Sequence, residues 1–213
     1  GMRIAWTPNF GSAPVDPEVR TICEKAVKTF EHLGAVIETP DLHIDIGDAI
    51  DLLETIMWTD RTANSGHLLR DHANKMSTTF REPLEDAMKW SAQKVAFALR
   101  KLEWHRVKMT QIFDEYDLLL SPTMSVPAFV IGNPPNLIDG KKVENLVWGF
   151  NPFNFLINLS KQTAANVPCG FSRGDLPIGL QIIGNVQDEA LVLTASAAFE
   201  EAHPWISKRP PIS

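Results

Sequence analysis

Arg3-Ile4-Ala5-Trp6, a helical pattern running from Asp16-Pro17 to Leu33-Gly34, and then Ala35-Val36-Ile37-Glu38-Thr39 make up the stretch that decides the fold. The first and last segments are short, mostly apolar and strand-like. Between them, a turn-rich link from Thr7 to Pro14 leads to Asp16, an N-cap residue, with proline at the first helical position. Val19, Ile22, Cys23, Ala26, Val27, Phe30 and Leu33 recur on one helical face, and Gly34 stands where a left-handed terminating residue is wanted. This predicts a helix over residues 17–33 between two strands. Such a crossover is right-handed and joins parallel strands, so the fold class is α/β. Gly1 ahead of Met2 reads as the remnant of a removed tag, which makes Met2 a start that opens almost directly on the first strand.

Working outward, Ala49, Ile50, Leu53, Ile56 and Met57 form an apolar stripe, and a longer helical pattern covers residues 83–113. Asp117-Leu118-Leu119-Leu120 reads as a buried strand ending in the loop Ser121-Pro122-Thr123. Residues 130–150 show no sustained period and are expected to form a long surface excursion. Residues 164–171 and 178–184 are strand-like runs joined through Arg173-Gly174-Asp175, which predicts a hairpin. Asp188 is then expected to cap a last helix whose stripe is Ala190, Leu191, Leu193, Thr194, Ala197, Ala198 and Ala202. The result is a mixed, partly parallel sheet flanked by helices, in one domain over residues 1–213.

With 213 residues and 44% hydrophobic content, the chain can bury one good core. Its net charge of -6 supplies no field to neutralise phosphates, so neither nucleic acid nor an anionic membrane surface is an expected partner. No apolar run approaches spanning length and the start carries no export signal, which predicts a cytoplasmic protein. Cys23 and Cys169 are the only cysteines, far apart in sequence, so a disulfide framework and a structural metal site are not expected.

Candidate chemistry within the chain is sparse. Ser91-Ala92-Gln93-Lys94 has Ser-x-x-Lys spacing but lies in a polar helical stretch without companion motifs, and reads as a mid-helix solvated face. His67, Asp71 and His72 sit among Arg61, Arg70 and Lys75, again a solvated helix. Cys169 has no base nearby in sequence and reads as an inert buried thiol. Trp58, Trp90, Trp104, Trp148 and Trp205 read as core or interface packing.

Three blocks carry a family resemblance. Tyr116-Asp117-Leu118-Leu119-Leu120-Ser121-Pro122-Thr123 resembles the buried strand and loop of amidase-signature enzymes. Pro152-Phe153-Asn154, with the run from Asn158-Leu159-Ser160 through Val167-Pro168-Cys169-Gly170, is similar to the family's Asn-Leu-x-x-Gln-Pro-Ala-x-x-Val-Pro-Cys-Gly segment, except that Thr163 replaces the proline. Leu176-Pro177-Ile178-Gly179-Leu180-Gln181-Ile182-Ile183-Gly184 resembles its Gly-Leu-Pro-Ile-Gly-Leu-Gln-Ile-Val-Gly strand. The resemblance is to the C-terminal portion of the family, including the tRNA-dependent amidotransferases, and is weakest over residues 40–115 and 130–150.

The resemblance implies hydrolysis of an amide carbon-nitrogen bond without metal or organic cofactor. It also implies that the Lys-Ser-Ser machinery lies outside this sequence, since no Gly-Gly-Ser-Ser-Gly element occurs in residues 1–213. No catalytic residue is therefore assigned, and no amidase turnover is expected of the chain alone. Pro122, Thr123, Met124, Phe150, Asn151 and Asn158 are the implied substrate-binding residues, although Asn158 also reads as satisfying backbone groups in a buried loop. The resemblance leaves three alternatives open: one half of a split amidase that pairs with an N-terminal half, a non-catalytic module that forms a homo-oligomer through the surface that half would cover, or a truncated chain without independent function.

Overall fold

The computed structural model describes residues 1–143, 145 and 147–209. Strand β1 (Arg3–Trp6), helix α1 (Pro17–His32) and strand β2 (Val36–Glu38) form the crossover predicted by the opening stretch, with Arg3 opposite Val36 in parallel register. Asp16 Oδ1 accepts from the Glu18 and Val19 amides at 2.8 and 3.4 Å, a cap worth about 1 kcal/mol. Gly34, at φ 92°, turns the chain out of the helix into β2.

Helix α2 (Ile46–Ser65), the short helix α3 (Leu69–His72), α4 (Thr78–Ala87) and α5 (Ala92–Ile112) fill the middle of the chain. The single pattern expected over residues 83–113 is in fact broken. The Met88 and Trp90 amides close α4 on the Leu84 and Ala87 carbonyls, and Ser91 Oγ accepts from the Lys94 amide at 3.2 Å to start α5. Ser91 is thus an N-cap and not a mid-helix residue. Among the described residues no helix is long and apolar enough to cross a membrane.

Strand β3 (Leu118–Pro122) is wholly buried and pairs parallel with β1. Residues 130–150 are more than an excursion. Strands β4 (Leu137–Ile138) and β5 (Lys141–Lys142) pair through Asp139-Gly140, both at positive φ, as a two-residue hairpin turn requires. Ile138 and Val143 anchor this ribbon by burial. Glu144 and Leu146, within the same expected excursion, lie outside the described residues.

Helix α6 (Pro152–Ser160) leads into the predicted hairpin, β6 (Ala164–Phe171) and β7 (Pro177–Ile183), and α7 (Glu189–Ala202) closes the chain. The sheet order is β2-β1-β3-β7-β6, parallel on the β1 side and antiparallel on the β7 side. Helices α1 and α7 lie against β6 and β7. The stripe expected on α7 is rotated: Val192, Ala195 and Phe199 are buried, whereas Leu193 is 65% exposed. Phe199 stacks on Phe30 of α1 at 5.4 Å, and that contact fixes the helix's rotation. Asp188 occupies the N-cap position of α7, but its side chain makes no capping hydrogen bond.

Candidate functional site

The loop after β3 and the start of α6 meet at Gln181 of β7. Gln181, an isolated polar residue in the apolar strand β7, is buried, and its Nε2 donates to Asn154 Oδ1 at 3.0 Å. Asn154 Nδ2 in turn donates to Asn151 Oδ1 at 2.6 Å and approaches Met124 Sδ at 3.5 Å. Behind them, the fully buried Ser121 Oγ donates to Gln181 Oε1 at 3.3 Å. Four buried or half-buried polar side chains, from β3, β7, α6 and the N-cap position just ahead of α6, are therefore joined to one another, which holds a neutral polar lattice in place where unpaired groups would be costly.

Thr123 is held separately. Its amide donates to the Gly179 carbonyl at 2.9 Å and its hydroxyl to Asn166 Oδ1 on β6. A Cβ at residue 179 would fall 2.8 Å from Thr123 Oγ1, so this approach of β7 to the loop requires glycine. The Phe150 carbonyl accepts from the Ser125 amide at 3.1 Å, and the Phe150 ring meets Phe129 edge-on at 4.9 Å. A cleft of about 240 Å³ opens here, lined by Val19, Met124, Val126, Pro127, Phe129 and Gly179.

Of the residues nominated from sequence, Met124 and Asn151 join the lattice through Asn154, and Phe150 is tied to the same loop. Pro122 is the buried last residue of β3 and Thr123 follows it on the Asn166 side. Asn158 is not joined to them. It is exposed on α6, seven residues beyond Asn151, and does not lie in a buried loop. Sequence reasoning missed Asn154, Gln181 and Asn166. The available signal was Gln181 itself, since a glutamine inside a buried apolar strand must find a partner.

A second cleft, of about 510 Å³, lies between α2 and α5, with Ile44, Leu52, Phe97, Trp104 and His105 in its lining. Its rim is tied by Lys101 Nζ to Asp48 at 2.7 Å. Trp104 is 71% exposed here, so of the core or interface packing expected of it the core role does not hold. His105 Nε2 donates to the Leu156 carbonyl at 2.8 Å, linking α5 to α6. Burial holds the His105 imidazole below its ordinary pKa, opposed by that hydrogen bond and aided by Lys108 and Arg106. Among the described residues, no three His, Cys, Asp or Glu side chains come together as a metal-binding group, and His67, Asp71 and His72 are exposed. Lys94 Nζ lies 3.7 Å from the Trp90 ring centroid.

The family model described as Amidase matches residues 1–193. The chain belongs to the amidase family. An acylamidase of Rhodococcus erythropolis is 33% identical over 220 residues, covering 99% of this chain and 44% of that protein. The A-type component of the glutamyl-tRNA(Gln) amidotransferase of Oceanobacillus iheyensis is 28% identical over 240 residues, covering 99% of this chain and 46% of that protein. The crystal structure of a bacterial aryl acylamidase of the amidase-signature family superposes with a TM-score of 0.86 at 28% identity, covering 99% of this chain and 46% of that one. This amidase-family chain thus spans less than half the length of the relatives it matches, and its mixed sheet with flanking helices is the fold shared with them.

Proposed function

We propose that this chain is the substrate-binding half of an amidase-signature hydrolase, acting in the cytoplasm, and that it does not cleave amides alone. The observation that carries this reading is the polar lattice itself. It sets neutral amide groups against Met124, which also lines the 240 Å³ cleft, and contains no nucleophile joined to a base. Such a lattice orients an amide; it does not activate an attacking group. In the complete site, Thr123 and Asn151 face the polar part of the substrate, Met124 and Phe150 pack its apolar part, Pro122 fixes the loop, and Asn158 reaches it from the exposed face of α6.

The acylamidase relatives support an amide with an apolar acyl or aryl group. The nucleophile, its second serine and the lysine come, on this reading, from an N-terminal amidase half. The edge strand β6, seven of whose eight residues pair with β7 and with no other described strand, supports either that half or a second copy as partner.

Hydrolysis of a panel of aryl and aliphatic amides by the purified chain, alone and mixed with native cell extract, tests the reading. Activity only in the mixture supports a split enzyme. Turnover by the pure chain overturns it, and silence in both favours the self-associating, non-catalytic module.

A further inference from the structure

Cys23 and Cys169 are 146 positions apart in sequence, yet their sulfurs lie 3.9 Å apart, and the residues are 0% and 3% exposed. The strand geometry explains the meeting. Pro168 pairs with Gly179 and Gly170 with Ile178, so Cys169 is the extra residue of a β-bulge in β6. A bulge re-aims side chains, and here two consecutive residues turn toward α1. Cys169 faces Cys23, and a Cβ on Gly170 would fall 2.5 Å from Ile22 Cγ2. The Cys23 sulfur also lies 3.8 Å from the Gly179 carbonyl, the same oxygen that receives the Thr123 amide.

We propose that Cys23 and Cys169 form a modification site, a dithiol that peroxide converts into one intramolecular disulfide stapling α1 to β6. The thiolate of one cysteine attacks a peroxide oxygen, breaking the O–O bond to give a sulfenic acid and one water. The second sulfur attacks the first, displaces the sulfenic oxygen as a second water, and the sulfur-sulfur bond closes. Two electrons pass from the thiols to the peroxide, and both thiol protons leave in water. Hydrogen bonding with Cys169 and then burial push the Cys23 thiol up, so the reaction is slow and draws on brief openings of the chain. A cleft of about 650 Å³ is lined in part by Pro17, Thr21, Ile22, Phe171 and Ser172, and so reaches Ile22, the residue before Cys23. Oxidation removes the Cys23 thiol proton from the Gly179 carbonyl and fixes β6 on the side opposite the Thr123-Asn166 contact.

The test is treatment of the folded chain with hydrogen peroxide, followed by unfolding, alkylation of remaining thiols, mass measurement and peptide mapping. The expected product is a monomer lighter by two hydrogens, without alkylated cysteine, and with a linked peptide containing both residues. Its melting temperature is expected to rise by about 5–10 °C, because the closed loop is long. Cys23→Ser and Cys169→Ser are each expected to abolish the link and the rise. Two alkylated thiols after treatment, oxygen retained on separate sulfurs, or disulfide-linked dimers would each overturn the proposal. The mass measurement uses the unsubstituted chain, so it decides the matter even where a serine variant fails to fold.

Discussion

Gln181 of β7 and Asn154 of α6 are joined by a 3.0 Å hydrogen bond that ties the sheet to the helix carrying half of the candidate site. Gln181 is buried, so its partner decides whether it stabilises the fold or costs it. Replacing Gln181 with leucine leaves Asn154 Oδ1 without its donor. Urea denaturation is expected to show a loss of about 1–3 kcal/mol. A loss below experimental error would mean that the lattice is not coupled to folding.

Gly179→Ala tests the approach of β7 to the Thr123 loop. The added methyl runs first into Asn166 Oδ1 and then into Thr123 Oγ1 at 2.8 Å, and must push the loop or the strand aside. The expected cost is about 1–3 kcal/mol, read as a fall in melting temperature. Asn166→Ala in the same chain opens space and should recover part of it.

The His105 imidazole carries a pH dependence with a definite sign. Its folded pKa lies below the ordinary value of 6.5, so below that value the unfolded chain binds the proton more readily than the folded one. The contribution is complete above pH 6.5 and is lost as pH falls through the window between 6.5 and the lower folded value. Melting temperature measured from about pH 8 to about pH 5 is expected to fall less for His105→Gln than for the unsubstituted chain. Equal slopes would remove His105 as the cause.

Ser91→Ala separates a cap from a nucleophile. Ser91 Oγ receives the Lys94 amide at the start of α5, so the expected effect is a destabilisation of about 1 kcal/mol. No change in amide hydrolysis by the assembled enzyme should accompany it.

Asn151→Ala and Asn158→Ala probe the proposed substrate contacts in the assembled enzyme. Loss of one hydrogen bond to substrate should lower kcat/KM by about tenfold for each. Asn158 is exposed, so its replacement should leave stability within about 0.5 kcal/mol. Asn151 accepts from Asn154 and should show a stability loss as well.

Local chemistry made much of the fold legible. Asp16-Pro17 starts α1 because capping and proline geometry act over a few adjacent residues, and Gly34 ends it for a similarly local reason. The apolar run Leu118-Leu119-Leu120 and the β6-β7 hairpin carried equally short-range signals, although β3 runs on through Ser121 and Pro122, which were expected to open the loop. Sequence did not place the buried face of α7, because alanines surround that helix and offer several equivalent stripes; the Phe30-Phe199 contact selects one. Nor did it show the Gln181-Asn154-Asn151 lattice, whose members come from two elements 27 positions apart. The meeting of Cys23 with Cys169 across 146 positions depends on a bulge in β6 and on the docking of α1 against it. Caps, turns and periodicity are written over a few adjacent residues and act before the chain has folded. Partnerships between side chains distant in sequence exist only once packing has fixed the orientation of each element.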